Sequence, residues 1–168
     1  ITEWLNADSF LAVKTSGSTG TPKVQRVAKT RMQASAAATN TFFELGPNST
    51  ALLALSTNYI AGKMMMVRAF IGGYTLHVQA PEKNPLANLK EPVDFAPLVP
   101  MQAQAGIQHL SNVRKLLLGG APVTDSLRNE LVKAAGETQI FQSYGMTETL
   151  SHVALRELTA AQGHYTCL

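Results

Sequence analysis

The chain has 168 residues, 45% of them hydrophobic and 15% charged, with a formal net charge of +3. That length supports one domain with a substantial core, and the 14 lysines and arginines are scattered with no run beyond Arg114-Lys115, which excludes the clustered basic face of a nucleic-acid groove. The single cysteine, Cys167, excludes a disulfide within the chain and fits a reducing cytoplasm; no apolar run is long enough for a membrane span.

In chain order, Phe10 to Val13 reads as a strand and runs into a polar loop, Thr15 to Lys23. Val24 to Val27 is β-prone. Lys29 to Leu45 predicts a helix closed by Gly46-Pro47. Ala51 to Leu55 has the run of a short buried strand. Ala61 to Ile71 predicts a helix with Met64, Met65, Val67 and Phe70 apolar, stopping at Gly72-Gly73. The Met64 to Met66 run reads as core packing. Tyr74 to Val78 is a strand, Pro81 to Pro92 a crossover with at most a short helix, and Phe95 to Val99 another strand. Met101 to Leu110 reads as helical, and Lys115 to Leu118 as a strand ending in a Gly119 to Pro122 turn. Thr124 is placed to cap the next helix with Asp125 in its first turn, and Gly136 closes it. Gln139 to Gln142 is a strand entering a turn, and His152 to Glu157 a final strand. This alternation predicts an α/β layered domain with a largely parallel sheet. Ligands gather at the carboxyl ends of such strands, and three motifs stand there: after Val13, after Leu118 and after Gln142.

The first motif, Thr15-Ser16-Gly17-Ser18-Thr19-Gly20-Thr21-Pro22-Lys23, holds five hydroxyls, two glycines and one lysine. Glycines let backbone N–H groups approach an anion closely, and hydroxyls and a lysine add donors; polyphosphate is the natural guest. A flexible linker is the bland alternative. A Walker loop needs Gly-Lys opening a helix, whereas Lys23 follows Pro22 and precedes a strand-like stretch. The second motif is Leu117-Leu118-Gly119-Gly120-Ala121-Pro122. The third is Gln142-Ser143-Tyr144-Gly145-Met146-Thr147-Glu148-Thr149.

The three segments, in this order, resemble the phosphate loop, the Gly-Gly-Ala-Pro segment and the Tyr-Gly-x-Thr-Glu motif of the adenylate-forming superfamily. That superfamily holds acyl- and aryl-CoA ligases, luciferases and peptide-synthetase adenylation domains. The resemblance implies ATP, Mg²⁺ and CoA as ligands and a small-molecule carboxylate as substrate. Ser16, Ser18, Thr19 and Gly20, with Thr15, Gly17 and Thr21, would line the β- and γ-phosphates, supported by Lys23. Thr147 would hold the α-phosphate and Glu148 the magnesium. Gly119, Gly120 and Ala121 would face adenine, with Tyr144 and Gly145 beside it. Tyr59, Lys63 and Ser143 would serve the acyl side, as would the Val99-Pro100-Met101-Gln102 segment.

Many superfamily members carry a histidine near Asn58 to Met65; this chain has none there. The string running on to Val67-Arg68-Ala69 resembles o-succinylbenzoate–CoA ligases of menaquinone biosynthesis, and either Lys63 or Arg68 would then meet a substrate carboxylate. Otherwise both are solvated helix residues. Another aryl- or acyl-CoA ligase, a carrier-loading adenylation domain and a non-catalytic nucleotide-binding module stay open, as does the oligomeric state. The four histidines show no ligand spacing for zinc; His152, just beyond the phosphate-side turn, reads as structural or exposed, with contact to substrate as the alternative. The superfamily's ribose-binding aspartate and lysine-bearing C-terminal domain have no match. The 168 residues therefore read as part of a large N-terminal domain, with no signal peptide at Ile1-Thr2-Glu3-Trp4, and inactive on their own.

Overall fold

The computed structural model describes residues 2–14, 24–146, 148–160 and 163–168. A short helix, α1 (Thr2–Leu5), precedes strand β1 (Phe10–Lys14), and β2 (Val24–Ala28) returns antiparallel to it, from Lys14 opposite Val24 to Phe10 opposite Ala28. This two-stranded hairpin stands apart from the main sheet. The segment after Val13 therefore connects a hairpin and does not follow a parallel strand as expected. All the expected phosphate-loop residues, Thr15 to Lys23, lie outside the described residues.

The main sheet has seven strands in the order β4-β3-β5-β6-β7-β8-β9: β3 (Thr50–Leu53), β4 (Thr75–Val78), β5 (Val93–Leu98), β6 (Val113–Leu118), β7 (Gln139–Gly145), β8 (His152–Glu157) and β9 (Tyr165–Cys167). The strands β3 to β7 pair parallel, and β8 and β9 are added antiparallel. The helices are α2 (Lys29–Phe43), α3 (Ile60–Gly72), α4 (Pro100–Ala105) and α5 (Asp125–Ala134). The sheet is thus largely parallel and layered with helices, as the alternation predicts.

Period-2 alternation splits each central strand between two cores. On one face Leu52, Ala96, Leu98, Leu116, Leu118 and Ile140 pack with Leu127 and Leu131 of α5 in an aliphatic cluster. On the other, Ala51, Leu53, Phe95, Leu117 and Phe141 meet Phe43 of α2, Met65 of α3 and Tyr74. Phe43 touches both Phe95 and Phe141, with ring centroids 4.8 and 5.1 Å apart.

Helix ends follow local chemistry, with two departures from the sequence reading. Thr124 accepts the Leu127 N–H at 3.3 Å as the N-cap of α5, and Gly73 closes α3 at φ 67°. Helix α2, however, ends before Gly46-Pro47. Glu44 adopts the left-handed conformation at φ 56° and its N–H returns to Asn40 and Thr41 carbonyls. Lys115 braces this end: buried on β6, its ammonium donates to the Phe43 carbonyl and to the Glu44 carboxylate, each at 2.8 Å. That hydrogen bond holds the Glu44 carboxyl below its ordinary range. The expected helix Met101 to Leu110 is also divided: α4 ends at Gly106, and a 3₁₀ segment, Ile107–Asn112, follows.

Candidate functional site

Parallel strands release their chains at one edge of the sheet. From β3 the chain passes to Tyr59 and α3, from β5 to the Val99-Pro100 corner, from β6 to Gly119, and from β7, which ends in Tyr144-Gly145, to Met146 and on toward Glu148. A parallel arrangement has no choice in this, since every crossover must return to the opposite edge.

Two of the sequence motifs touch there. The Ser143 hydroxyl on β7 donates to the Leu118 carbonyl at the end of β6, at 2.9 Å. A Cβ on Gly119 would stand 2.8 Å from that same Ser143 oxygen, and Gly120 turns at φ 80°. Glycine is required at both positions for different reasons: close approach at Gly119, left-handed backbone at Gly120. Ala121, next in the turn, is exposed. The structure therefore joins Gly119 to Ser143 directly, and Ser143 acts as the bracket between the two motifs.

Strand β7 runs further than the sequence reading, which ended it at Gln142. Tyr144 and Gly145 are strand residues paired with Ala154 and His152 across a bulge. Tyr144 is 58% exposed and meets Tyr165 edge to face at 6.2 Å. A side chain at Gly145 would collide with the Ser151 carbonyl and the His152 backbone. Beyond it, one hydroxyl organises the turn: Thr149 Oγ1 accepts the Met146 N–H at 3.0 Å and lies 2.9 Å from the Met146 carbonyl and 2.7 Å from that of Ser151. Thr147 lies outside the described residues, and Glu148 is exposed on the turn.

Leu150 anchors this turn. Its backbone is left-handed at φ 72°, unusual for a branched apolar residue, and its side chain is buried among Leu11, Val13 and Val27 of the hairpin and Met64 and Val67 of α3. The turn carrying Glu148 and the hairpin bounding residues 15–23 thus share one hydrophobic cluster. Leu150 thus ties the turn to the hairpin through helix α3 rather than through the main sheet.

Beneath the turn lies a polar cluster. Arg68 of α3, read as solvated or substrate-facing from sequence, is 3% exposed. Its Nη2 donates to Ser151 Oγ at 2.6 Å, its Nε has no partner among the described residues, and its backbone carbonyl accepts from the Asn40 amide at 2.9 Å. The ion pairs of the described residues involve Lys63, Arg114 and Lys115, none of them Arg68. Burial pulls the guanidinium pKa down to about 10. His152, largely enclosed, stands beside it; burial, and then the Arg68 charge, lower its pKa to about 3, so the imidazole is neutral. Burial also pushes the Tyr74 phenol up.

The remaining expected residues make no hydrogen bond to this cluster among the described residues. Tyr59, half-exposed, is the N-terminal flank of α3. Lys63 pairs with Glu3 of α1 at 3.1 Å. Among the described residues no three His, Cys, Asp or Glu side chains form a metal cluster, and no helix is long and apolar enough to cross a membrane. Sequence reasoning missed Thr149, Leu150 and Ser151. For Arg68 a signal was present: it falls four residues after Met64, on the buried side of an apolar helix, where a charge without function is rare.

The model of the AMP-binding enzyme family matches residues 4–167. The chain is 32% identical over 157 residues to a 2-succinylbenzoate–CoA ligase of Oceanobacillus iheyensis, which covers 87% of this chain and 32% of that protein. Among solved structures, an acyl-CoA synthetase (AMP-forming)/AMP-acid ligase II-like protein from Dyadobacter fermentans superposes with a TM-score of 0.89 at 41% identity, covering 99% of this chain and 50% of the other. An E. coli MenE variant with bound OSB-AMS superposes at 0.70 with 27% identity, covering 87% and 32%. The chain thus spans about a third of the length of the curated relative and half that of the Dyadobacter protein.

Proposed function

Because the chain belongs to the AMP-binding enzyme family, we propose that the protein carrying it is an acid–CoA ligase that activates an aromatic dicarboxylic acid, o-succinylbenzoate, with ATP. The supporting observation is the junction of the Gly119-Gly120 turn with the Tyr144 to Glu148 segment through the Ser143–Leu118 hydrogen bond. It sets side-chain-free backbone next to an exposed tyrosine ring and an exposed carboxylate. A flat purine fits against such backbone and ring. Mg²⁺ takes one or two carboxylates and completes its shell with phosphate oxygens and water, which suits Glu148 as a lone carboxylate.

In this reading the substrate carboxylate attacks the α-phosphorus, the bond to the bridging oxygen breaks, and pyrophosphate leaves. The CoA thiol then loses its proton, its sulfur attacks the acyl carbon, and AMP departs. Mg²⁺ supplies charge neutralisation at the phosphates. Residues 15–23 would add N–H and hydroxyl donors with Lys23, Thr147 would hold the α-phosphate, and Tyr59 and Lys63 would border the acyl group. Arg68 would meet the second carboxylate of the acid: it is a buried cation that no acidic side chain of the described residues neutralises, and such a charge calls for an anionic partner. The ribose contact and the adenylation lysine would lie on residues outside these 168, in a reaction run in the cytoplasm.

Acid-dependent exchange of pyrophosphate into ATP by the protein carrying this chain tests the proposal. Exchange stimulated by o-succinylbenzoate and lost in Glu148→Gln is expected. Exchange equal with benzoate and o-succinylbenzoate would overturn the choice of acid, and no exchange with any carboxylate would overturn the ligase assignment.

A further inference from the structure

The hydrogen bonds around His152 have a direction. The Thr39 hydroxyl donates its one proton to the Ser35 carbonyl at 2.9 Å, one turn earlier on α2. At 3.1 Å from His152 Nε2 it can then only accept, so Nε2 carries the imidazole proton. Nδ1 is left as a bare acceptor, 3.5 Å from Ser151 Oγ. Ser151 in turn already accepts from Arg68 Nη2 at 2.6 Å, so its own proton is free to turn toward Nδ1. Donors and acceptors thus run one way, from Arg68 through Ser151 and His152 to Thr39 and the α2 backbone.

From this we infer that His152 is a positioning residue for acid selection: it orients the Ser151 hydroxyl, which holds the Arg68 guanidinium in the one direction from which it can receive a second carboxylate. The inference rests on the Arg68 reading proposed above, and gives the histidine a role that the sequence did not assign. Two features of the site make the device specific. A neutral imidazole keeps a second cation from competing beside Arg68. Ser151 is itself fixed, because its carbonyl lies 2.7 Å from the Thr149 hydroxyl that organises the Glu148 turn. Placement of Arg68 is thereby coupled to the segment that carries the proposed magnesium ligand.

The test compares the affinities of two non-reactive adenylate analogues, o-succinylbenzoyl and benzoyl, for the protein carrying this chain. Native protein should favour the carboxylate-bearing analogue about tenfold to hundredfold, the worth of a charge-assisted hydrogen bond. His152→Phe, which removes the acceptor, should cut that preference about fivefold or more while benzoyl affinity holds within about twofold. His152→Asn, which puts an oxygen near the Nδ1 position, should restore most of it. A purely structural histidine would weaken both analogues together, and preference unchanged in His152→Phe would overturn the inference. No preference in the native protein would overturn the Arg68 reading and the relay with it. Should His152→Phe not fold, nitrogen NMR of the native protein decides: Nε2-protonated, neutral His152 supports the relay, and an Nδ1-protonated or charged ring overturns it.

Discussion

The two faces of the parallel sheet are built from different chemistry. Against α5 the sheet buries leucine, valine, isoleucine and alanine, without an aromatic ring in the cluster. Against α2 and α3 it buries Phe43, Phe95, Phe141 and Tyr74, and this side also encloses Lys115, Arg68 and Asn40. The first face is packed mainly by volume and exclusion of water, and the polar side chains enclosed on that side, Gln102 and Thr138, donate to the Ala54 and Leu110 carbonyls. The second needs direction, because each enclosed polar atom must find a partner or cost stability. Lys115 finds the end of α2, whereas Arg68 Nε, Asn40 Oδ1 and Tyr74 Oη have no partner among the described residues. The polar groups of the proposed acyl site thus lie in the helix layer opposite the aliphatic cluster.

Substitutions can break this contrast. Leu116→Ala, on the aliphatic face and fully buried, should cost about 2–5 kcal/mol in denaturant unfolding and leave the preference between the two adenylate analogues unchanged. Lys115→Met should cost about 1–3 kcal/mol, since the Phe43 carbonyl loses its buried donor. Thr124→Ala should cost about 1 kcal/mol through loss of the α5 cap. Arg68→Met should unfold within about 1 kcal/mol of the native chain or later, because it replaces a buried, uncompensated charge with an apolar chain of similar length. It should nonetheless abolish the analogue preference.

Acid sharpens the same contrast. His152 titrates at about 3 in the folded chain against an ordinary 6.5. Between those values the unfolded chain binds the extra proton, so stability rises with pH across that window. Its contribution is full above about 6.5 and is lost as pH falls toward about 3. Urea unfolding of native and His152→Asn chains across this range should show a steeper acid loss in the native chain.

The aliphatic face was legible in the sequence because its signals are periodic: Leu116 and Leu118, Leu127 and Leu131 fall on strand and helix spacings. The Gly119-Gly120 turn and the cap at Thr124 were legible from residue type alone. The end of α2 was not. The helix closes at a left-handed Glu44 rather than at the adjacent Gly46-Pro47, braced by a lysine far along the chain, and no local pattern carries that contact. Nor was the extension of β7 through Gly145, since its pairing depends on β8 and on the bulge there. The polar cluster was half legible: Arg68 stood out by type, but its burial and its bond to Ser151, 83 positions away, are tertiary facts.

Calorimetric titration of the o-succinylbenzoyl-adenylate analogue with Mg²⁺ into the native protein, Glu148→Gln and Arg68→Met tests the account most directly. Saturable native binding is predicted, with each variant about tenfold weaker or more and the Glu148→Gln loss confined to titrations containing magnesium. Native affinity retained in both variants would contradict the placement of the adenylate at this edge of the sheet.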